Sequence, residues 1–150
     1  TDFGVVSHGP LNRENPCFLC ARLRRKRLFE IAAELGCRTL ALGHNRDDVI
    51  ETLFLNICYA GEISTMRPAQ DLFKGRFRLI RPLAYADEAL IRRFAREQAL
   101  PVSPNPCPSA GRSRRAEIKD LLQQLYRSNR KIKGNIFRAM RHVKTEYLLK

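Results

Sequence analysis

Leu40–Thr52 reads L-A-L-G-H-N-R-D-D-V-I-E-T. The short apolar run Thr39–Gly43, T-L-A-L-G, predicts a buried β-strand with a glycine at its exit. A short loop carries His44, and a helix is expected from about Asp47, with Asp47 read as its cap. Ile50, Leu53, Phe54, Ile57 and Cys58 recur at helical spacing on one face, and Gly61 closes the helix.

Working outward, Phe3–Ser7 (F-G-V-V-S) reads as a short strand, and His8–Pro16 as a loop. A helix is expected from about Phe18 to Leu35, striped by Leu28, Ile31, Ala32 and Leu35 and stopped by Gly36. Downstream, Ser64–Arg76 reads as a loop and Phe77–Leu83 as a strand ended by Pro82. Asp87 caps a helix bearing Leu90, Ile91, Phe94 and Ala95. Pro101–Pro108 holds four prolines and reads as irregular. Two terminal helices follow, marked by Ile118, Leu121, Leu122 and Leu125, then by Ile136, Met140, Val143 and Tyr147. Tyr126 and Phe137 are read as core. Strand–helix alternation to about residue 98 predicts an α/β fold with a parallel sheet. It divides the chain into an α/β part over 1–100 and a proline-rich loop with a basic α-helical tail over 101–150, the tail being an appendage. About three strands are few for a free-standing sheet.

In open α/β sheets, ligands bind off the carboxyl ends of the strands. Asp48 and Glu51, three apart, can both face that crevice, where carboxylates suit Mg²⁺ beside a nucleotide phosphate. His44 is placed to touch nucleotide or substrate. Acids at a helix N-terminus are also favoured by capping and the helix dipole alone, so spacing leaves both readings open.

The chain has 150 residues, 44% of them apolar, enough for one core and too many for a disordered chain. No apolar run approaches the roughly 20 residues of a membrane helix. The net charge is +13 and lopsided. Residues 1–75 hold 10 basic and 9 acidic groups, residues 76–150 hold 18 and 6. Such asymmetry points to a polyanion, nucleic acid before membrane. The tail cations include Arg112, Arg114, Arg115, Arg130, Lys131 and Lys133. Nearer the start, Arg22, Arg24 and Arg25 belong to a run of five basic residues in six positions, Arg22–Arg27.

That run follows P-C-F-L-C, in which Cys17 and Cys20 form a C-x-x-C at a helix start. Thiolates so placed can share a metal or a cluster. Cys107, in N-P-C-P-S-A-G, is a third soft donor. Cys37 and Cys58 are read as core. Five cysteines do not suit a secreted disulfide scaffold.

Together, G-H-N-R-D-D-V-I-E-T and C-F-L-C-A-R-L-R-R resemble the PP-loop ATP-pyrophosphatase superfamily, and within it the tRNA 2-thiocytidine synthetases (tRNA-cytidine 2-sulfurtransferases). The similarity extends to I-R-P-L-A-Y at Ile80–Tyr85, the proline-rich Cys loop, and I-F-R-A-M-R-H-V at Ile136–Val143. The resemblance implies a Rossmann-like, adenine nucleotide alpha hydrolase-like sheet, partial here. It implies adenylation of a cytidine in the tRNA anticodon loop by ATP and Mg²⁺, then displacement of AMP by sulfur. Asp48 and Glu51 would be catalytic, and Gly43, His44 and Asp47 would bind the nucleotide. Cys17, Cys20 and Cys107 would hold a [4Fe-4S] cluster with one iron open. Where family members often carry a second C-x-x-C, this chain has Ala110, which favours three-cysteine ligation. tRNA is the implied partner, with a sulfur donor such as a cysteine desulfurase, in the cytoplasm. The family's S-G-G-x-D-S phosphate loop is not in these residues, so the chain is expected to be the carboxyl-terminal part of a longer enzyme, inactive alone. An unpaired sheet edge favours association, as a homodimer or with a partner fragment. The competing readings are lysidine synthesis, uridine thiolation, and a zinc-bound RNA-binding module whose fourth ligand is His8, His44 or His142.

Overall fold

The computed structural model describes residues 3–9, 16–103, 107, 111 and 113–149. A short helix α1 (Phe3–Ser7) packs on a long helix α2 (Pro16–Glu34). Then come β1 (Thr39–Ala41), α3 (Arg46–Leu55) and a π-helical turn over Asn56–Ala60. β2 (Ala69–Leu72) and β3 (Phe77–Ile80) form a hairpin, followed by α4 (Glu88–Glu97). α5 (Arg114–Ser128) and α6 (Ile132–Ala139) complete the chain with a 3₁₀ turn at Thr145–Tyr147.

The sheet has the order β1-β3-β2. β1 runs parallel to β3, with Ala41 opposite Ile80. β2 is antiparallel to β3, with Ala69 opposite Ile80, so the sheet is only partly parallel. The expected loop at Ser64–Arg76 hides β2 because A-Q-D-L has no apolar alternation. Its pairing is set instead by the turn, where Phe73, Lys74 and Gly75 all take positive φ (52°, 59° and 81°). The expected strand at Phe3–Ser7 is α1. A five-residue apolar run does not separate the two periods, and packing along α2 decides for helix.

The most buried cluster lies between helices. Ile50 of α3 meets Ile118 and Leu122 of α5, all at most 3% exposed, with Phe54, Tyr126, Ile136, Phe137 and Met140 around them. Each such side chain contributes roughly 1.5–3 kcal/mol by leaving water. The basic tail is therefore no appendage. Its apolar faces make this core with α3, and Tyr126 and Phe137 belong to it as expected. Apart from this cluster, Phe29 of α2 meets Phe77 and Phe73 edge-on, with centroids 5.1 and 5.7 Å away.

Cys37 and Cys58, expected in the core, are exposed. Cys37 follows Gly36, whose positive φ has already ended α2. Cys58 lies in the π-helical turn, whose wider winding takes Ile57 and Cys58 off the face that buries Ile50 and Leu53. Leu35, past the end of α2, and Leu90 and Phe94 on α4 are also largely exposed.

The parallel pair positions the site. Leu42 N–H donates to Ile80 O at 2.9 Å, and Arg46 N–H to Ala86 O at 2.9 Å. The residues that follow β1 and β3, Gly43–His44 and Arg81, thus leave the sheet on the same side.

Candidate functional site

Asn45, not Asp47, caps α3. Its side chain accepts from the Asp47 and Asp48 N–H groups at 2.9 and 3.1 Å, and Asp48 Oδ2 accepts from Asn45 N–H at 2.9 Å, closing a capping box. Asp47 is thereby released for other partners. It accepts from Glu88 N–H at 2.8 Å and pairs with Lys133 Nζ at 2.5 Å. Lys133 also reaches Asp87, 2.6 Å away, which pairs in turn with Arg46. Asp87 stands at the N-cap position of α4 without making a capping bond, because its carboxylate is engaged in this network.

Asp48 and Glu51 do lie together. Arg115 Nη1 donates to Asp48 Oδ1 at 3.1 Å and to Glu51 Oε2 at 3.0 Å, and Nη2 to Thr52 Oγ1 at 3.3 Å. Glu51 is buried, and burial raises its pKa against the opposing charges of Arg115 and Lys119. This pair of adjacent carboxylates, held by a displaceable cation, is the kind of site a divalent metal enters.

Beside them, burial holds the His44 imidazole below the usual histidine range. Arg81, Arg115 and Arg24 add to this, and Asp48 opposes it. His44 is therefore neutral at pH 7, and its Nδ1 is buried without a hydrogen-bond partner among the described residues. Arg81 was not singled out from sequence. It is 9% exposed, donates through Nη1 to Arg67 O at 2.5 Å, and leaves Nε without a partner among the described residues. The ion pairs among the described residues give it no carboxylate. The signal available was an arginine directly after an apolar strand, in I-R-P. A Cβ at Gly43 would meet no described atom within 4 Å, so packing does not demand glycine there. The strand ends thus bring a neutral imidazole, a buried cation and open backbone together, features suited to a phosphate-bearing ligand.

Cys17 and Cys20 lie one turn apart at the start of α2, exposed and half-buried. Cys107 is half-buried, its Cα only 4.0 Å from where a Cβ on Gly4 of α1 would sit. α1 in turn packs on α2, the helix that carries Cys17 and Cys20 in its first turns. Among the described residues no three His, Cys, Asp or Glu side chains converge on a single metal ion. An all-thiol donor set fits an iron–sulfur cluster better than a hard cation. Ala110 lies outside the described residues.

Of the basic residues, Arg22, Arg24 and Arg25 stand exposed on α2. Arg114 is exposed and stacks over Tyr59, 4.8 Å from the ring centroid. Arg115 and Lys133 turn inward onto carboxylates. Arg130 and Lys131 line a cleft of about 840 Å³ between α4 and α6. Arg112 lies outside the described residues. No helix among those described is long and apolar enough to cross a membrane.

No family model matches the chain. Individual proteins do. The chain is 42% identical over 147 residues, 97% of its length, to the tRNA-cytidine(32) 2-sulfurtransferase of Methylobacillus flagellatus. It is 41% identical over 99% of its length to the protein of the same name from Geobacter metallireducens. Over nearly its whole length the chain is similar to the tRNA-cytidine(32) 2-sulfurtransferases. It spans about half the length of the family members it matches, 48% and 59% for these two. Among solved structures, the U34-tRNA thiolase NcsA from Methanococcus maripaludis with its [4Fe-4S] cluster superposes with a TM-score of 0.67 at 28% identity, over 90% of this chain and 45% of that one. The resemblance read from the motifs and the α/β fold class are thereby borne out.

Proposed function

We propose that the chain is part of an ATP-dependent enzyme that converts a tRNA cytidine to 2-thiocytidine. The observation that carries this reading is the 42% identity along 97% of the chain to a protein of that name. In this reading Asp48 and Glu51 hold Mg²⁺ in place of Arg115. Gly43, His44, Asp47 and Arg81 surround the phosphates of ATP, and Arg81 offsets their charge. The oxygen on C2 of the cytidine is adenylated with release of pyrophosphate, and sulfur then attacks C2 and expels AMP together with that oxygen. Cys17, Cys20 and Cys107 hold a [4Fe-4S] cluster, which when bound supplies an open iron for the incoming sulfur. The sulfur comes from a donor such as a cysteine desulfurase, and the enzyme works in the cytoplasm as a homodimer. tRNA is held by the exposed cations of α2, α5 and the α6 end. Uridine as the target is favoured only by the likeness to a U34 thiolase, at lower identity.

The test is to delete the gene that encodes this chain and measure 2-thiocytidine in bulk tRNA by mass spectrometry. Loss of the nucleoside is expected, restored by the wild-type gene and not by Cys107→Ser. Unchanged 2-thiocytidine in the deletion strain would overturn the reading.

A further inference from the structure

The cleft between α4 and α6 has an uneven charge. Arg93 and Arg96 project from α4, facing Arg130, Lys131 and Arg138 around α6. All five are exposed. Arg93 has a long i,i+4 pairing with Glu97, 3.6 Å away, and Arg138 donates to Asn135 at 3.1 Å. Arg96, Arg130 and Lys131 make no ion pair among the described residues. Among the described residues the lining holds one carboxylate, Asp87, and that charge is already spent on Arg46 and Lys133. Like charges so gathered repel one another, so the arrangement costs stability unless a polyanion enters.

Among the described residues the lining also lacks aromatic side chains. Tyr85 and Phe137 are turned to each other edge-on, with Arg141 over both, outside the cleft wall. Single-stranded RNA is bound by stacking its bases on aromatic rings. A duplex hides its bases and offers phosphates on a ridge, and cations on two opposing walls match such a ridge.

We propose that the α4–α6 cleft is a docking site for the sugar-phosphate backbone of a double-stranded RNA stem, held by charge and shape without base readout. Arg93, Arg96 and Arg138 join Arg130 and Lys131 as its contacts. The site depends on the tRNA reading above only for which stem it receives.

The test is fluorescence anisotropy of the 150-residue chain with two blunt RNA hairpins of unrelated sequence. A single strand with the same number of phosphates and vesicles rich in phosphatidylglycerol serve as comparisons. Arg96→Ala and Arg138→Ala should each weaken both hairpins by about tenfold and lower the salt slope by about 1. The single strand should lose at most about twofold in either variant, and Arg76→Ala, on the β2–β3 turn, should change nothing. Equal losses on strand and hairpin, losses confined to one hairpin sequence, or tighter binding of vesicles than of hairpins would overturn it. Hairpin docking of this kind with unchanged thiocytidine in the deletion strain would keep this inference and remove the thiolation reading. Lost thiocytidine without such docking would do the reverse.

Discussion

Arg115 Nη1 donates to Glu51 Oε2 at 3.0 Å, tying α5 to a carboxylate buried on α3. The same nitrogen reaches Asp48 Oδ1, so one cation of the basic tail bridges two acids on α3. Removing it leaves Glu51 buried without its opposite charge. Breaking a buried pair costs about 3–5 kcal/mol, but the Arg115 side chain is 43% exposed, and water takes up part of the loss. Arg115→Ala should therefore cost about 2 kcal/mol in urea denaturation. Glu51→Gln should cost less, because an amide needs no counter-charge. Equal costs would mean that charge is not what the contact supplies.

The acid limb of stability should depend on Asp87. Its bond from Arg46, then Lys133, holds its carboxyl below the ordinary 3.8. Between those two values the unfolded chain binds more protons than the folded one, so stability rises with pH there. The contribution is complete above the unfolded value and lost as pH falls through the folded one. Glu51 works in the opposite sense. Burial raises its pKa above 4.5, so it costs stability as pH climbs through that window. Urea midpoints across the acid range should show a flatter limb in Asp87→Asn. An unchanged limb would place the acid sensitivity elsewhere.

The sequence showed the parts of this fold that a strong local pattern governs. The apolar strand before His44, the long α2 and the left-handed glycines at 36 and 61 follow from periodicity and backbone freedom. The acids Asp48 and Glu51 were recognisable by spacing. β2 was hidden because its register comes from a turn rather than from its side chains. The cap moved from Asp47 to Asn45 because two adjacent cap-forming residues compete, and Lys133, 86 positions away, claims the aspartate. Long-range partners also explain why Arg81 went unnoticed: an unpaired buried arginine is visible only once its surroundings are assembled.

The terminal helices should prove inseparable from the rest. Leu122 is 2% exposed and sits against Ile50. Leu122→Ala removes that packing and leaves a cavity, at a cost of about 2–5 kcal/mol. Because the core joins α3 to α5, hydrogen exchange should speed up in both helices together. Faster exchange confined to α5 and α6 would show that the tail is an independent appendage after all.

Metal content at Cys17, Cys20 and Cys107 separates iron from zinc. Two of the three histidines that could complete a zinc site engage their Nδ1 with carbonyls four residues back, His8 with Gly4 at 2.6 Å and His142 with Arg138 at 3.1 Å. His44 sits at the strand ends. Metal-ligating histidines are usually held by such a bond through the other ring nitrogen, so these contacts do not decide between a Cys₃His zinc site and a cluster, and metal content does. Anaerobic incubation of the chain with iron and sulfide should load about four irons with a charge-transfer absorption. Cys107→Ser should lose both, because a cluster with an open iron has no spare protein ligand to replace it. Cys37→Ser and Cys58→Ser, exposed on other elements, should load as the wild type does. One tightly held zinc with no iron, insensitive to Cys107→Ser, would remove the cluster from the proposed function and leave sulfur delivery to be explained another way.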